Sequence, residues 1–219
     1  MAAKHSTTTD QELINALPPL IKALAQRGVI RQCRANTTLI EEGDRGDSLY
    51  IVLEGTVRIY CSEATGKEIT LALYGPGEYV GEMSLDGGLR SASVATETAC
   101  VCALVSGAQL REHVTSNPEF ALELIQRLIR RARLATDSAR SLALIDAYGR
   151  LVRLFQQLVV SRADGSRIVE EHLTHLAIAK RIGCTRELVS RLLKDLQTGG
   201  FITLEDKRFV LLKKLPARW

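Results

Sequence analysis

The rhythm of apolar and polar positions changes several times along this chain. From Asp10 to Ala25 apolar residues recur at helical spacing, which predicts an opening helix. A long β-like region follows. Its short runs, SLYIVL (48–53), TVRIY (56–60), EITLALY (68–74), ASVATE (92–97) and ACVCALV (99–105), are rich in β-branched and aromatic residues. Gly43, Gly46, Gly55, Gly66, Gly75 and Gly77 punctuate them, as expected where a chain reverses through positive φ. Short strands at this spacing predict a sandwich, barrel or roll.

Beyond Asn117-Pro118 the rhythm becomes helical. No Gly or Pro occurs from Glu119 to about Asp146, and helix formers dominate. Ile125, Leu128, Ala132, Ala135, Ala139 and Leu142 follow one another at intervals of 3, 4, 3, 4 and 3, a heptad-like seam. A helix lying on its own β-domain would also show an apolar stripe. The seam is narrow, however, and the opposite face carries Arg127, Arg130, Arg131, Arg133 and Asp137. Pairing with the same helix of a second copy is therefore the expectation.

A further amphipathic helix, LVRLFQQLVV, starts at Gly149 and leads through the polar connector SRADGSR into a C-terminal module. Residues 173–182 read as a short helix with Leu176, Ile178 and Ile182 in its core. Gly183-Cys184 breaks it, Thr185 is an N-cap for a second helix, and Glu187 falls in the first turn, where the macrodipole favours an acid. Val189, Leu192, Leu193 and Leu196 form the buried stripe, and Gly199-Gly200 end the helix. The runs FITL and RFVLL flank a turn at Glu205-Asp206-Lys207. Helix, tight turn, helix and hairpin make a winged helix-turn-helix.

On the second helix Arg186, Glu187, Ser190, Arg191 and Lys194 project together, away from the apolar stripe. Side chains near the start of such a helix reach base edges in the major groove. The arginine fork matches guanine O6 and N7, and a carboxylate accepts from cytosine N4. A salt-bridged surface helix joined by Glu187 and Arg191 is the alternative. Charge favours DNA. The net +4 of the chain lies entirely from Ile168 onward, where ten Lys/Arg face six Asp/Glu, against nineteen of each before it.

Other chemistry is thin. Five cysteines, at 33, 61, 100, 102 and 184, contain no C-x-x-C, and only His172 and His175 of the four histidines are close, so neither a disulfide framework nor a metal site is expected. Cys100 and Cys102 alternate along an apolar run, which predicts both on one buried strand face. P-loop, G-x-S-x-G and H-E-x-x-H signatures are missing, so no enzyme is expected. The start, MAAKHSTTTD, has no apolar run of signal-peptide length, and no stretch approaches the roughly 18 apolar residues of a membrane span. A cytoplasmic protein without membrane partners is expected.

GCTRELVSRLLKDLQTGGFI resembles the recognition segment of the CRP/FNR family of bacterial transcription regulators. EEGDRGDSLYIVLEGTVRIY and GEMSLDGGLRSASV are similar to parts of that family's cyclic nucleotide-binding β-roll, and DAYGRL to its hinge. The resemblance implies an α+β architecture: a jelly-roll-like β-roll with a long dimerisation helix at about 118–146, all within 1–146, then a winged helix-turn-helix over 147–219. It implies a ligand-controlled transcription regulator that binds double-stranded DNA as a homodimer and works with RNA polymerase. Each half-site would be similar to TGTGA, with half-sites about one helical turn, ~34 Å, apart.

By the same resemblance residues 81–91 are a phosphate-binding cassette. Glu82 would accept from a ribose 2'-hydroxyl, Arg90 would pair with the cyclic phosphate and Ser91 would donate to it. Gly81 and the glycines after it would let backbone amides approach, and Met83 and Thr136 complete the implied ligand set. Arginine suits phosphate oxygens, and glycine-rich N–H nests suit anions. Seven residues separate Glu82 from Arg90, a residue or two fewer than in typical cyclic-nucleotide-binding members. Ala135 and Thr136 stand where cyclic-AMP-binding members carry a Thr-Ser pair on the long helix. Cyclic AMP is the implied effector, with cyclic di-GMP as the alternative. The arginines of residues 127–140 are expected to be a solvated face, a larger guanine-bearing ligand being their other reading. Cys33 is the sole cysteine of the first sixty residues, so the iron–sulfur mode of the family's oxygen-sensing branch is not implied. A sensing subunit that governs something other than DNA is the rival class, and the recognition helix argues against it.

Overall fold

The computed structural model describes residues 9–63, 68–162 and 167–216. The initial segment, Gly66 and the middle of the connector at 163–166 lie outside the described residues. Two compact units form. Residues up to Cys61 with Leu71–Arg131 make the first, and Ser62–Thr70 with the chain from Ala132 onward make the second.

The opening helix is broken in two, α1 (Asp10–Asn15) and α2 (Pro19–Ala25). Pro18-Pro19 explains the break: proline disfavours helical geometry in the residue before it and supplies no N–H, but suits a helix start. Thr9 caps α1 in a capping box with Glu12.

Eight strands follow: β1 (Val29–Cys33), β2 (Thr38–Ile40), β3 (Ser48–Glu54), β4 (Val57–Ser62), β5 (Glu68–Tyr74), β6 (Tyr79–Val80), β7 (Ser93–Thr96) and β8 (Cys100–Ser106). They form two sheets, ordered β1-β8-β3-β6 and β2-β7-β4-β5. All five predicted strands are present. The strands β1, β2 and β6 have no clear two-residue alternation in the sequence; β2 and β6 are only three and two residues long, and pairing across the sheet holds them. Strands β1 and β3 flank β8 and run antiparallel to it, with Ile51 opposite Ala103 and Ile30 opposite the same residue on the other side.

Side-chain alternation divides β3 between two cores. Leu49, Ile51 and Leu53 pack toward α1, α2, Leu110, Phe120 and Leu124. Val52 faces Ile40, Val57, Val80, Val94, Cys100 and Cys102 between the sheets. Cys100 and Cys102 thus share one buried face, and burial pushes the Cys102 thiol up to about 12.

Helix α3 (Gly107–Ser116) is capped by Ser106 and leads into α4 (Pro118–Leu144), a 27-residue helix. Proline at its first position suits the helix start. The seam residues Ile125, Leu128 and Leu142 are 52%, 38% and 44% exposed, and Ala132, Ala135 and Ala139 are exposed as well.

In the second unit Asp146 accepts from the Gly149 N–H at 2.7 Å and caps α5 (Ala147–Leu158), which starts two residues before the predicted Gly149. The end of the predicted LVRLFQQLVV helix is instead β9 (Val159–Ser161), because it pairs with β10 (Arg167–Val169). Then come α6 (His175–Ile182), α7 (Arg186–Thr198) and the hairpin β11 (Ile202–Glu205) and β12 (Arg208–Leu211). The sheet order is β11-β12-β10-β9. Tyr148, Leu151, Phe155, Ile178, Ile182, Val189, Leu193, Leu196 and Phe209 form one core. Leu176, expected in that core, is 49% exposed; Ala179 takes the buried position on α6.

Candidate ligand pocket and nucleic-acid interface

The cassette begins where β6 ends. Gly81 has φ +97°, and a Cβ there would lie 2.6 Å from the Ser48 carbonyl oxygen and 2.8 Å from Arg90 Nη1. At Gly46 a Cβ would lie 2.7 Å from Arg90 Nη2. Two glycines therefore make the cradle in which the Arg90 guanidinium lies. Residues Glu82–Asp86 form a single 3-10 helical stretch. The chain returns to the cradle at Arg90, whose N–H donates to the Asp44 carbonyl and whose carbonyl accepts from Gly43 N–H, both at 2.9 Å.

Arg90 is 8% exposed and Glu82 5%. Nη1 of Arg90 donates to the Gly81 carbonyl at 2.9 Å, and Nη2 donates to the Ser48 carbonyl at 2.8 Å and to Ser48 Oγ at 3.2 Å. Ser91 Oγ lies 3.3 Å from Met83 Sδ. Thus the structure brings Gly81, Met83, Arg90 and Ser91 together, with Glu82 buried beside them. The amide of Gly88 donates to Asp86 Oδ1 at 2.8 Å, so that glycine's N–H is turned onto its own loop. Thr136 lies on α4 within the second unit and donates to the Ala132 carbonyl at 3.0 Å.

Arg127 and Arg131 correct the sequence expectation of a solvated arginine face. Arg131 forms an ion pair with Glu82, reaches Glu78 at 3.3 Å and donates to the Tyr79 carbonyl at 2.7 Å. Its guanidinium lies 4.5 Å from the Tyr74 ring centroid and 5.4 Å from that of Tyr79. Arg127 pairs with Glu123 and, at 2.9 Å, with Glu78, and lies 4.8 Å from the Tyr79 centroid. Four-residue spacing places both on one stripe of α4, and Glu78 and Glu82 share that spacing. This double i, i+4 register, with Tyr79 between the two glutamates and Tyr74 four residues before Glu78, was the available signal. Burial works to lower the Arg131 pKa, but Glu82, Tyr74 and Glu78 together outweigh it and hold the guanidinium above its usual value. Burial pushes the Tyr74 and Tyr79 hydroxyls up, so both remain donors at neutral pH.

The donor set fits an organic phosphate with a sugar hydroxyl. A buried guanidinium in a glycine cradle is suited to an anion, and a buried carboxylate to a hydroxyl hydrogen. Among the described residues no group of three or more His, Cys, Asp or Glu could hold a metal ion.

In the second unit, Gly183 ends α6 with φ +64°, and its N–H donates to the Ala179 carbonyl. Thr185 Oγ1 then accepts from Leu188 N–H at 3.3 Å and caps α7. Val189, Leu192, Leu193 and Leu196 are buried as predicted. Thr185, Arg186, Glu187, Arg191 and Lys194 are exposed and Ser190 is half-buried. Among the described residues no ion pair engages Arg186, Glu187, Arg191 or Lys194, which leaves the helix without the Glu187–Arg191 bridge of the surface-helix alternative.

A family model described as cyclic nucleotide-binding domain matches residues 30–117, and one described as Crp-like helix-turn-helix domain matches residues 149–217. The chain is 30% identical over 189 residues to the cAMP-activated global transcriptional regulator CRP of Salmonella typhimurium, covering 83% of this chain and 89% of that protein. The chain belongs to the CRP/FNR family. A second family relative, the CRP-like cAMP-activated global transcriptional regulator of Mycobacterium tuberculosis, is 32% identical over 178 residues, 80% of each chain. The solved structure of the c-di-GMP responsive global regulator CLP of Xanthomonas campestris superposes with a TM-score of 0.77 at 28% identity, over 89% of this chain and 98% of that one. This chain is accordingly a DNA-binding transcription regulator with a cyclic nucleotide-binding domain, a β-rich N-terminal part, a long helix and a C-terminal helix-turn-helix. No helix among the described residues is long and apolar enough to cross a membrane.

Proposed function

We propose that this regulator binds DNA as a homodimer under control of a cyclic nucleotide held at Gly81, Glu82, Met83, Arg90 and Ser91. The observation that carries the reading is the buried pair Glu82 and Arg90 at 5% and 8% exposure, one beside the glycine cradle and the other inside it. Arg90 takes the phosphate, Glu82 the ribose hydroxyl and Ser91 a phosphate oxygen. The functional division falls at 146/147, where Asp146 caps α5. Thr185, Arg186, Glu187, Ser190, Arg191 and Lys194 face DNA, two copies read an inverted repeat, and the complex acts with RNA polymerase in the cytoplasm.

Cyclic AMP is the first effector to test, since the Salmonella and Mycobacterium relatives are described as cAMP-activated. Cyclic di-GMP is the second reading: the Xanthomonas neighbour responds to it, and Arg127 and Arg131 put two guanidinium groups beside Glu78 and Glu82. Fluorescence anisotropy of a palindromic TGTGA duplex, at fixed salt and with no ligand, cyclic AMP, cyclic GMP or cyclic di-GMP, decides between them. Tightening by cyclic AMP alone is the expected result. Arg186→Glu with Arg191→Glu abolishes specific binding while nucleotide binding persists; unchanged DNA binding in that variant overturns the reading of α7.

A further inference from the structure

His175 opens α6 directly after its N-cap Thr174. The half-buried imidazole places Nδ1 2.8 Å from Ser190 Oγ on α7. Ser190 lies between the exposed residues Arg186, Glu187, Arg191 and Lys194 on that helix. A histidine on one helix therefore backs a hydroxyl in the middle of the other helix's polar face.

A serine hydroxyl has a single hydrogen, so its direction follows what the neighbour offers. A neutral imidazole with bare Nδ1 accepts that hydrogen and leaves Ser190 presenting lone pairs outward. An imidazolium carries hydrogen on both nitrogens. It donates to Ser190 Oγ, and the hydroxyl hydrogen turns outward to a phosphate or base acceptor. The ring adds a positive charge at the same place. Both changes favour a polyanion, and imidazole is the side chain whose ordinary ionisation falls between pH 5 and 8.

We propose that the His175–Ser190 pair makes DNA binding by this chain proton-linked, His175 acting as a positioning residue that converts Ser190 from acceptor to donor. The proposal rests on α7 being the DNA-reading helix. Charged groups surround the pair on each element. On α7, Arg186 and Glu187 lie one turn before Ser190, Lys194 one turn after, and Arg191 next to it. On α6, Lys180 pairs with Glu68 and Arg181 with Glu171. The segment before α6 carries Glu170, Glu171 and His172. His172 is the nearest other histidine along the chain and needs its own control.

The test is anisotropy of the TGTGA duplex with saturating cyclic AMP, at pH 6.0 and 8.0 and constant ionic strength, for wild type, His175→Gln, His172→Gln and Ser190→Ala. Glutamine keeps an amide within reach of Ser190 but does not titrate. Wild type and His172→Gln bind about tenfold tighter at pH 6.0, the factor given by a one-unit difference between bound and free protonation equilibria. In wild type the salt dependence steepens by about 0.9 at the lower pH, as for one more neutralised phosphate. His175→Gln loses both effects, and Ser190→Ala keeps only the part due to charge. Equal pH profiles in wild type and His175→Gln overturn the proposal. A Ser190→Ala profile identical to wild type overturns the positioning role. Failure of every variant to bind the duplex at either pH overturns the DNA-reading assignment and this proposal with it.

Discussion

At the residue scale, Arg90 shows how a cassette side chain is held. Its guanidinium spans the Gly81 and Ser48 carbonyls, which lysine, a point charge, cannot do in one plane. Arg90→Lys is expected to weaken cyclic AMP binding about tenfold or more, the scale of a lost charge-assisted hydrogen bond, as read by isothermal titration calorimetry. His113 makes a prediction of its own. It is 4% exposed and meets Phe120 edge-on with ring centroids 4.7 Å apart. Burial holds its imidazole below the usual value. As pH falls through the unfolded value near 6.5, the unfolded chain takes up a proton that the folded one refuses, so the stability present above that pH is lost on acidification. The urea midpoint of the first unit is expected to drop between pH 7.5 and 5.5, and to drop less in His113→Gln.

At the element scale, α4 has two faces with different fates. Arg127 and Arg131 lie on tyrosines and carboxylates of the β-roll. Leu122, Ile125, Leu128 and Ile129 remain 57%, 52%, 38% and 46% exposed. Apolar residues at heptad spacing on a charged helix are suited to a second copy of the same helix. Ile125→Lys with Leu128→Lys is expected to give a monomer by light scattering and to abolish inverted-repeat binding, while the variant keeps its nucleotide affinity. The wing is a second case. Its turn residues Asp206 and Lys207 have φ of +47° and +61°, the two positive values of a type I′ hairpin turn. The sequence marked that turn through polarity alone, since Asp-Lys is not the Asp-Gly that such a turn prefers.

At the scale of the whole molecule, the proposed nucleotide residues 81–91 belong to the first unit and α7 to the second, and in the proposed reading any coupling between nucleotide and DNA must be reciprocal. If cyclic AMP tightens DNA binding by a given factor, the duplex must tighten cyclic AMP binding by the same factor. Calorimetry with and without duplex checks this; unequal factors mean that a further species, such as a dissociating dimer, carries part of the response. The sequence by itself determined five strands of the first unit, the long helix and the winged module, because each has a local cause: two-residue or helical periodicity, glycine at turns, and the Thr185 cap. The capped α7 with its buried Val189, Leu192, Leu193 and Leu196 is the plainest example. Tertiary structure decided what depends on distant partners. Pairing made strands of β1, β2, β6 and β9, whose sequences are too short or too plain to declare themselves. The folding of α4 onto Tyr74 and Tyr79 turned an arginine stripe, legible only as charge, into the Arg131–Glu82 contact. The packing of α6 on α7 placed His175 against Ser190, because a side chain's neighbour fifteen residues away is set by the meeting of two helices and not by either helix's own sequence.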